Sequence, residues 1–358
     1  MLRLASQALA QVRRGPVVSR PTIHDVAKAA GVSVTTVSHA LNGKGRVDPQ
    51  TRALVAQVVH RLGYRANRHA RGLRSGRSAT LGLLLPVSGD VRSDETLRLD
   101  YYMRLAGAAA TAAFAREHAL MLLPPVIGGA WLGGLAIDGG IVADPSPNDP
   151  RVAVLDDQGL PSVTIGRDLG RPDHSWYVEL DTNANTRLLL DHLASRGAER
   201  IAILTPRSEW AWATETLQAY EAWTREHGFP RLVTPVAMQP GEQSAFQAAK
   251  RLLSARRPPD AVFAVAERFI RGVLRAAQAS GKRVPGELLI AAGVDGAFAW
   301  EGDPPVTALE LHPERMAEAA VTMLLARLDG DPAQPSAHVP ATLQVRASTD
   351  GLLEVPGR

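Results

Sequence analysis

The sequence predicts an α/β protein: an N-terminal all-α helix-turn-helix head and hinge, then a two-lobed body of doubly wound parallel sheets. Three observations predict it. Residues 1–79 carry 14 Lys/Arg against two acids, Asp25 and Asp48, a net of +12, while the remainder carries 26 basic and 34 acidic residues, a net of −8. Short segments with helix start and stop signals fill Thr22 to Gly63. From Thr80 onward, apolar runs alternate with Ala/Leu-rich helical stretches, the pattern of βαβ units. A chain of 358 residues exceeds what one simple core holds and implies two or three domains. A basic head on an acidic body points to a polyanion-binding head.

Residues 1–19 hold Arg3, Arg13 and Arg14 with weak apolar patterning and read as a disordered extension. They show no clear apolar core and cleavage site of a secretory signal. Val18 immediately precedes Ser19-Arg20-Pro21-Thr22-Ile23, where the ordered pattern begins. A valine codon can start translation in bacteria, so Val18 is an alternative to Met1, decided by N-terminal sequencing of the native protein.

Thr22-Ile23-His24-Asp25 has the form of a capping box. Ile23, Val26, Ala27 and Ala30 then share one helical face, and Gly31 stops the helix. Ser33 caps a second helix, Val34 to Leu41, with Val37 and Leu41 expected to face inward. Asp48-Pro49 starts a third, with Leu54, Val55, Val58, Val59 and Leu62 as its apolar face and Gly63 at its end. Two short helices joined by a tight turn and braced by a third make a helix-turn-helix unit, whose second helix would enter the major groove. Its outward positions are Val34, Thr35, Thr36, Ser38 and His39. Thr and Val suit the thymine methyl and His suits a guanine acceptor, while Ser38 and Thr36 suit phosphates equally well. The spacing alone fits an ordinary three-helix bundle as readily.

Thr22-Ile-His-Asp-Val-Ala-Lys-Ala-Ala-Gly-Val-Ser-Val-Thr-Thr-Val-Ser-His-Ala-Leu-Asn42 resembles the headpiece of the lactose/galactose repressor (LacI/GalR) family, and Arg61-Leu-Gly-Tyr-Arg-Ala-Asn67 continues the match. The family often has Arg where this chain has His39; histidine there is similar to the purine repressor branch. The resemblance implies base contacts from Val34, Thr35 and His39, and phosphate positioning by Thr22, Ser33, Thr36, Asn42 and Tyr64. Asn67-Arg-His-Ala-Arg-Gly-Leu73 resembles the family's hinge helix, with Asn67, Ala70, Arg71 and Leu73 in matching places. So short a helix cannot hold itself together in isolation. It is expected to fold only when two copies pack on DNA, with Leu73 wedged into the minor groove. Salt should weaken such binding steeply.

In the body, buried strands are expected at Leu81–Pro86, Ala119–Leu123, Gly139–Ala143, Ser162–Ile165, Ile201–Leu204, Ala261–Val265 and Leu288–Ala292. Helices are expected at Leu105–Glu117, Thr186–Arg196, Thr214–His227, Ser244–Ala255 and Ile270–Ser280. So many units suggest two doubly wound lobes with a ligand crevice at the carboxyl ends of the strands. Asp181-Thr-Asn-Ala-Asn185, Leu193-Ala-Ser-Arg-Gly-Ala-Glu-Arg-Ile-Ala-Ile-Leu204, Pro259-Asp-Ala-Val-Phe263, Gly281-Lys-Arg-Val-Pro285 and Leu343-Gln-Val-Arg-Ala-Ser348 resemble the family's effector-domain landmarks. The resemblance implies the fold of periplasmic sugar-binding proteins, with the chain crossing between lobes near Leu180, Pro304 and Pro335. The expected organisation is therefore an extension (1–19), a DNA-binding domain (20–65), a hinge (66–79) and an effector-binding and dimerisation domain (80–350). Its N-lobe would comprise 80–180 and 305–335, its C-lobe 181–304 and 336–350. Ten residues follow Ser348, too few for the family's tetramer-forming leucine tail, so a homodimer held by the body is expected.

Where the family usually places an Arg that clasps sugar hydroxyls, this chain has Thr216; where it has an Asn-Asp pair, Ala266-Glu267. Asp295 is retained in Gly293-Val-Asp-Gly296. These departures argue against an ordinary sugar effector. Candidate cleft residues are Tyr101 and Tyr102 after the first strand, with Trp210 and Trp212 for stacking. Asp144, Arg167, Asp181, Glu267 and Asp295 could orient polar groups. For each a structural role competes: Tyr102 in the core, Asp181 as a helix cap, Arg167 in a surface ion pair. The acidic bias suits a basic or hydroxyl-rich ligand.

The absence of cysteine removes disulfides, thiolate zinc sites and thiol catalysis, and fits a cytoplasmic location. No apolar stretch is long enough to suggest a membrane span. No phosphate loop, nucleophile elbow or clustered metal-ligand spacing is present, so no enzyme, metal or cofactor is expected. The reading is a transcriptional repressor that binds a palindromic operator of double-stranded DNA as a homodimer, controlled by a small-molecule effector. Two alternatives are a periplasmic-type solute-binding protein and an enzyme that has acquired a basic N-terminal segment.

Overall fold

The computed structural model describes residues 21–42, 45–64, 77–86, 99–123, 134–331, 336–351 and 353. Two compact units result, Met1–Ser78 and Ala79–Arg358. The expected extension, residues 66–76 of the expected hinge (with Asn67, Arg71 and Leu73) and the expected crossing at Pro335 lie outside the described residues.

In the first unit, α1 (Ile23–Ala30), α2 (Val34–Asn42) and α3 (Pro49–Leu62) form where their caps dictate. The Thr22 backbone N–H donates to Asp25 Oδ2 at 2.7 Å, and the Thr22 hydroxyl accepts from the Asp25 N–H. Gly31 closes α1 in the left-handed region, φ 65°, which glycine enters without a Cβ clash. Ser33 Oγ accepts from the Thr36 N–H at 3.0 Å and so caps α2. Asp48 Oδ1 accepts from the N–H groups of Gln50 and Thr51, with Pro49 in the first turn. Val26, Val37 and Val55 are fully buried at the centre, with Ala27, Ala30 and Val58 around them.

Two expected inward residues face out: Leu41 is 39% and Leu54 is 43% exposed. In α2 the inward positions are Val34, Val37 and Ala40, three apart, so Leu41 falls one step round the helix. In α3, Val55, Val58, Val59 and Leu62 complete the stripe, and Leu54 lies beyond its edge.

The second unit contains two six-stranded sheets. β1 (Thr80–Leu84), β2 (Ala119–Leu123), β3 (Gly139–Ala143), β4 (Ser162–Ile165) and β5 (Tyr177–Glu179) build the first, with α4 (Asp100–Ala115) and α5 (Pro150–Asp157) between them. β6 (Ile201–Pro206), β7 (Leu232–Val236), β8 (Ala261–Ala264), β9 (Leu289–Ala292) and β10 (Thr307–Glu310) build the second. It is interleaved with α6 (Thr182–Ser195), α7 (Ala211–His227), α8 (Gly241–Leu253), α9 (Ile270–Ala279) and the single turn α10 (Ala297–Trp300). The chain then returns through α11 (Pro313–Leu328) to β11 (Ser336–His338) and ends on β12 (Thr342–Gln344).

The strand orders are β11-β5-β4-β3-β1-β2 and β12-β10-β9-β8-β6-β7. All pairs are parallel except β10 with β12. Both sheets are covered on their faces, so strands such as β3, β4, β6, β8 and β9 are buried at every position, as parallel sheets require. Strand order reverses beside β1 in one lobe and beside β6 in the other, which places a crevice at those carboxyl ends.

The chain crosses between lobes after β5, after β10 and between β11 and β12. The first crossing is near Leu180, between β5 and α6. The second is at residues 311–312 rather than near Pro304, because β10 pairs with β9 and keeps residues 307–310 in the second lobe. The third is at residues 339–341, because Ser336–His338 pair with β5 in the first lobe. Between them α11 lays Met316, Ala317, Ala320, Val321 and Leu324 on the first sheet, against Leu81, Ile141 and Val163.

Candidate nucleic-acid interface and ligand cleft

The start of α2 carries the residues expected to read base edges. Thr35 and His39 are exposed, and Val34, Thr36 and Ser38 are half-buried. Val34 also leans on the head's core, together with Tyr64. Val37 anchors the opposite side of the same helix, at no exposure. Gly45 closes against the His39 ring, where a Cβ would come within 2.6 Å of Nδ1. Of the residues expected on phosphates, Thr22 and Ser33 are exposed, but their hydroxyls already cap helices; Ser33 Oγ also lies 2.9 Å from Thr36 Oγ1. Asn42 is the last residue of α2.

Both acids of the head are committed to capping. Hydrogen bonds from Thr22 hold Asp25 below the ordinary carboxylate range, and those from Thr51 and Gln50 do the same for Asp48. Lys28, Arg46, Arg52 and Arg61 are exposed around them, which leaves the head's field positive.

In the second unit a cavity of about 140 Å³ opens at the carboxyl ends of β1, β3, β6 and β8. Seven of the nine candidate cleft residues line it. Tyr101, Tyr102, Asp144 and Arg167 come from the first lobe, and Trp210, Trp212 and Glu267 from the second. Trp210 and Trp212 stack on each other, centroids 5.6 Å apart and planes 21° from parallel. Tyr101 is largely a core residue: it is buried and donates its hydroxyl to Met316 Sδ at 3.4 Å. It meets Tyr102 edge to face at 5.0 Å.

Tyr102 donates to Asp144 Oδ2 at 2.6 Å. Asp144 sits at φ 42°, a positive value uncommon outside glycine. Its backbone is clamped there: its N–H donates to Ile165 O at 2.8 Å, and Arg151 Nη2 donates to its carbonyl at 3.1 Å. Burial pushes the Asp144 carboxyl up to about 6, against the lowering effect of the Tyr102 hydrogen bond.

Glu267 begins the helical turn after β8 and is 5% exposed. Burial, with Asp100 nearby, pushes its carboxyl up to about 7. Its Oε2 is buried with no hydrogen-bond partner. Arg167 joins the two lobes at the cleft mouth, with its Nε 3.0 Å from Glu179 Oε2 and its Nη2 on Glu215 of α7.

Two candidates are not in the cavity wall. Asp181 is exposed and accepts from the Ala184 N–H at 2.9 Å, as the N-cap of α6. Asp295 is held in a two-toothed ion pair by Arg346, at 2.8 and 2.7 Å, and accepts from the Gly296 N–H. The chain's closing segment thus takes up the carboxylate that the sequence motif offered to a ligand.

Among the wall residues that sequence reasoning passed over are the charged or amide side chains of Glu179, Asn185, Glu215 and Arg268. Asn185 closes the Asp181-Thr-Asn-Ala-Asn185 landmark, and Arg268 follows Glu267, so a signal existed for both. Glu215 had none, since its partner Arg167 is 48 residues away. Among the described residues no group of three His, Asp or Glu is placed to hold a metal, and no helix is long and apolar enough to cross a membrane.

Residues 22–67 match the model of bacterial regulatory proteins of the lacI family, and residues 190–349 match that of a periplasmic binding protein-like domain. The HTH-type transcriptional regulator CelR of Thermobifida fusca is 31% identical over 338 residues, covering 92% of this chain and 98% of the relative. The HTH-type transcriptional repressor PurR of Erwinia tasmaniensis is 26% identical over 355 residues, covering 92% and 97%. Among solved structures, a CelR–cellobiose complex superposes with a TM-score of 0.69 at 28% identity, covering 92% of this chain and all (100%) of that one. The lac repressor dimer bound to operator and the anti-inducer ONPF gives 0.75 at 22% identity, covering 92% and 99%, a likeness of fold.

Proposed function

Because the chain belongs to the LacI family of bacterial regulatory proteins, we propose that it is a cytoplasmic repressor, nucleoid-associated when bound, that grips a palindromic operator as a homodimer. A small molecule in the inter-lobe cleft releases or tightens that grip. The observation that carries this is the union, in one chain, of an exposed Thr35/His39 face on a basic head and a cavity formed by both lobes of the body. A transport protein has no use for the first.

Val34, Thr35 and His39 read base edges, while Ser38 and Tyr64 join Thr22, Ser33, Thr36 and Asn42 in fixing the head on phosphates. Asn67, Arg71 and Leu73 act at the hinge, with Leu73 opening the central step from the minor groove. The body supplies the pairing surface. On α4, Met103 (50% exposed), Gly107, Ala110, Thr111 and Phe114 (71%) form an outward stripe without a charge, and Leu122 on the edge strand β2 extends it. Such an uncharged apolar face fits a second copy of the chain.

Ligand in the cleft changes lobe closure, which moves the two hinges of the dimer relative to each other. Coupling of this kind is typically worth about 1–3 kcal/mol. The test is anisotropy with duplexes from the protein's own upstream region. A palindromic site should bind two chains, with a steep salt dependence. Binding that ignores sequence, or is unchanged when the head is deleted, refutes the reading.

A further inference from the structure

Resting on that reading of the cleft, we propose that its ligand is a hydroxylated compound carrying a positively charged amine seated against Glu267, an amino sugar being the simplest example. The geometry points to two unmet demands on the same cavity. Glu267 Oε2 is buried and lacks a donor; Asn185 Nδ2, on α6, is buried and lacks an acceptor. Both side chains are more than nine-tenths buried, at 5% and 8% exposure, and both line the cavity. Buried polar atoms in native proteins are nearly all satisfied, so this pair defines what a ligand must bring: a donor at one end and an oxygen acceptor at the other.

Charge selects the donor. Asp100 flanks Glu267 across the cleft: a Cβ on Gly296 would meet Glu267 Oε1 at 2.7 Å and Asp100 Cβ at 3.4 Å. Asp100 leans on Arg104 at 3.7 Å, but Arg104 also serves Glu310 at 3.0 Å and Glu314 at 2.7 Å. One guanidinium therefore answers three acids. Arg268, beside Glu267, and a hydrogen bond from the Phe298 N–H offset part of the Glu267 charge, while Arg268 Nη1 is directed to the Met238 carbonyl at 3.2 Å. Asp295, from the loop after β9, is matched by Arg346. The corner around Glu267 is left with excess negative charge in a water-poor wall, where an unpaired ionised carboxylate is costly. A ligand hydroxyl supplies a hydrogen bond without the compensating charge; an ammonium supplies both. The stacked tryptophans offer an apolar face for the C–H side of a ring, and Asn185 an amide for its oxygens.

The probes are two matched pairs: glucosamine against glucose, and the β-1,4 dimer of glucosamine against cellobiose. Calorimetry on the full chain should give the amine of at least one pair roughly tenfold or greater preference over its neutral counterpart. Glu267→Gln should abolish that preference, and Asp100→Asn should reduce it. Affinity for the amine should rise from pH 5.5 to 7 in the wild type as Glu267 ionises, and rise distinctly less in Glu267→Gln, where of the two raised carboxyls in the cavity wall only Asp144 is left to titrate. Equal or tighter binding of the neutral sugar overturns the amine assignment while leaving the cleft as the ligand site. Failure of both amines to bind, or amine binding indifferent to Glu267→Gln, also overturns it. Amine binding that survives Trp212→Ala and Glu267→Gln together would instead remove the cleft itself.

Discussion

Glu267 should cost the ligand-free protein stability at neutral and alkaline pH. Its carboxyl is raised from the ordinary 4.5 to about 7. The folded state therefore holds the proton more tightly than the unfolded chain. The resulting stabilisation is fully present below pH 4.5 and lost as pH rises through 7. Each tenfold in proton affinity is worth about 1.4 kcal/mol, so the ionised side chain costs the fold about 3 kcal/mol at pH 8 and about 1 kcal/mol at pH 5. Glu267→Gln keeps the size and removes the charge. It should raise the main thermal transition by roughly 6 °C at pH 8, taking about 2 °C per kcal/mol for a domain of this size, and by much less at pH 5. Scanning calorimetry of wild type and variant at both pH values measures the difference. A gain independent of pH, or a loss at pH 8, would refute the claim that burial and Asp100 outweigh the groups that stabilise this carboxylate. A stabilised variant that has lost its ligand would also show that the site is held at the expense of the fold.

Three further outcomes follow from the same geometry. Asp295→Ala strands Arg346 and should destabilise the body by about 3 kcal/mol in urea unfolding; an unchanged midpoint would mean the pair is ornamental. Tyr102→Phe removes the hydrogen bond that favours the Asp144 carboxylate, so the Asp144 carboxyl should titrate above about 6 by carbon-13 NMR; a downward move would contradict the donor role of Tyr102. His39→Ala should relax preference at one base position per half-site, with discrimination there falling by about 1–3 kcal/mol. A uniform loss across all sequences would recast His39 as a phosphate contact.

The head was almost wholly legible in the linear sequence. Caps and left-handed glycines act over three or four residues, so Thr22 with Asp25, Asp48 with Pro49, and Gly31 and Gly63 could be placed without any tertiary information. The buried strands at the centre of each sheet were legible too, since burial on both faces writes them as unbroken apolar runs. The short strands β5, β11 and β12 were not, because a strand of three residues leaves no such run.

What tertiary structure alone decided is which polar residues meet. Asp295 and Arg346 are 51 residues apart, and Arg167 and Glu215 are 48; nothing local announces either pair. The two later lobe crossings were set by strand pairing, β10 with β9 and β11 with β5, rather than by Pro304 or Pro335. The same holds for Glu267. Its place after a buried strand marked it as a cleft residue, but only the arrival of Asp100 and Gly296 from distant segments left its Oε2 buried without a donor beside a second acid. Local rules determined the reader of DNA, because short-range hydrogen bonds and helix periodicity suffice to build it. The ligand site was decided by the packing of two lobes, because its chemistry is the sum of charges that meet only when the chain has crossed between them.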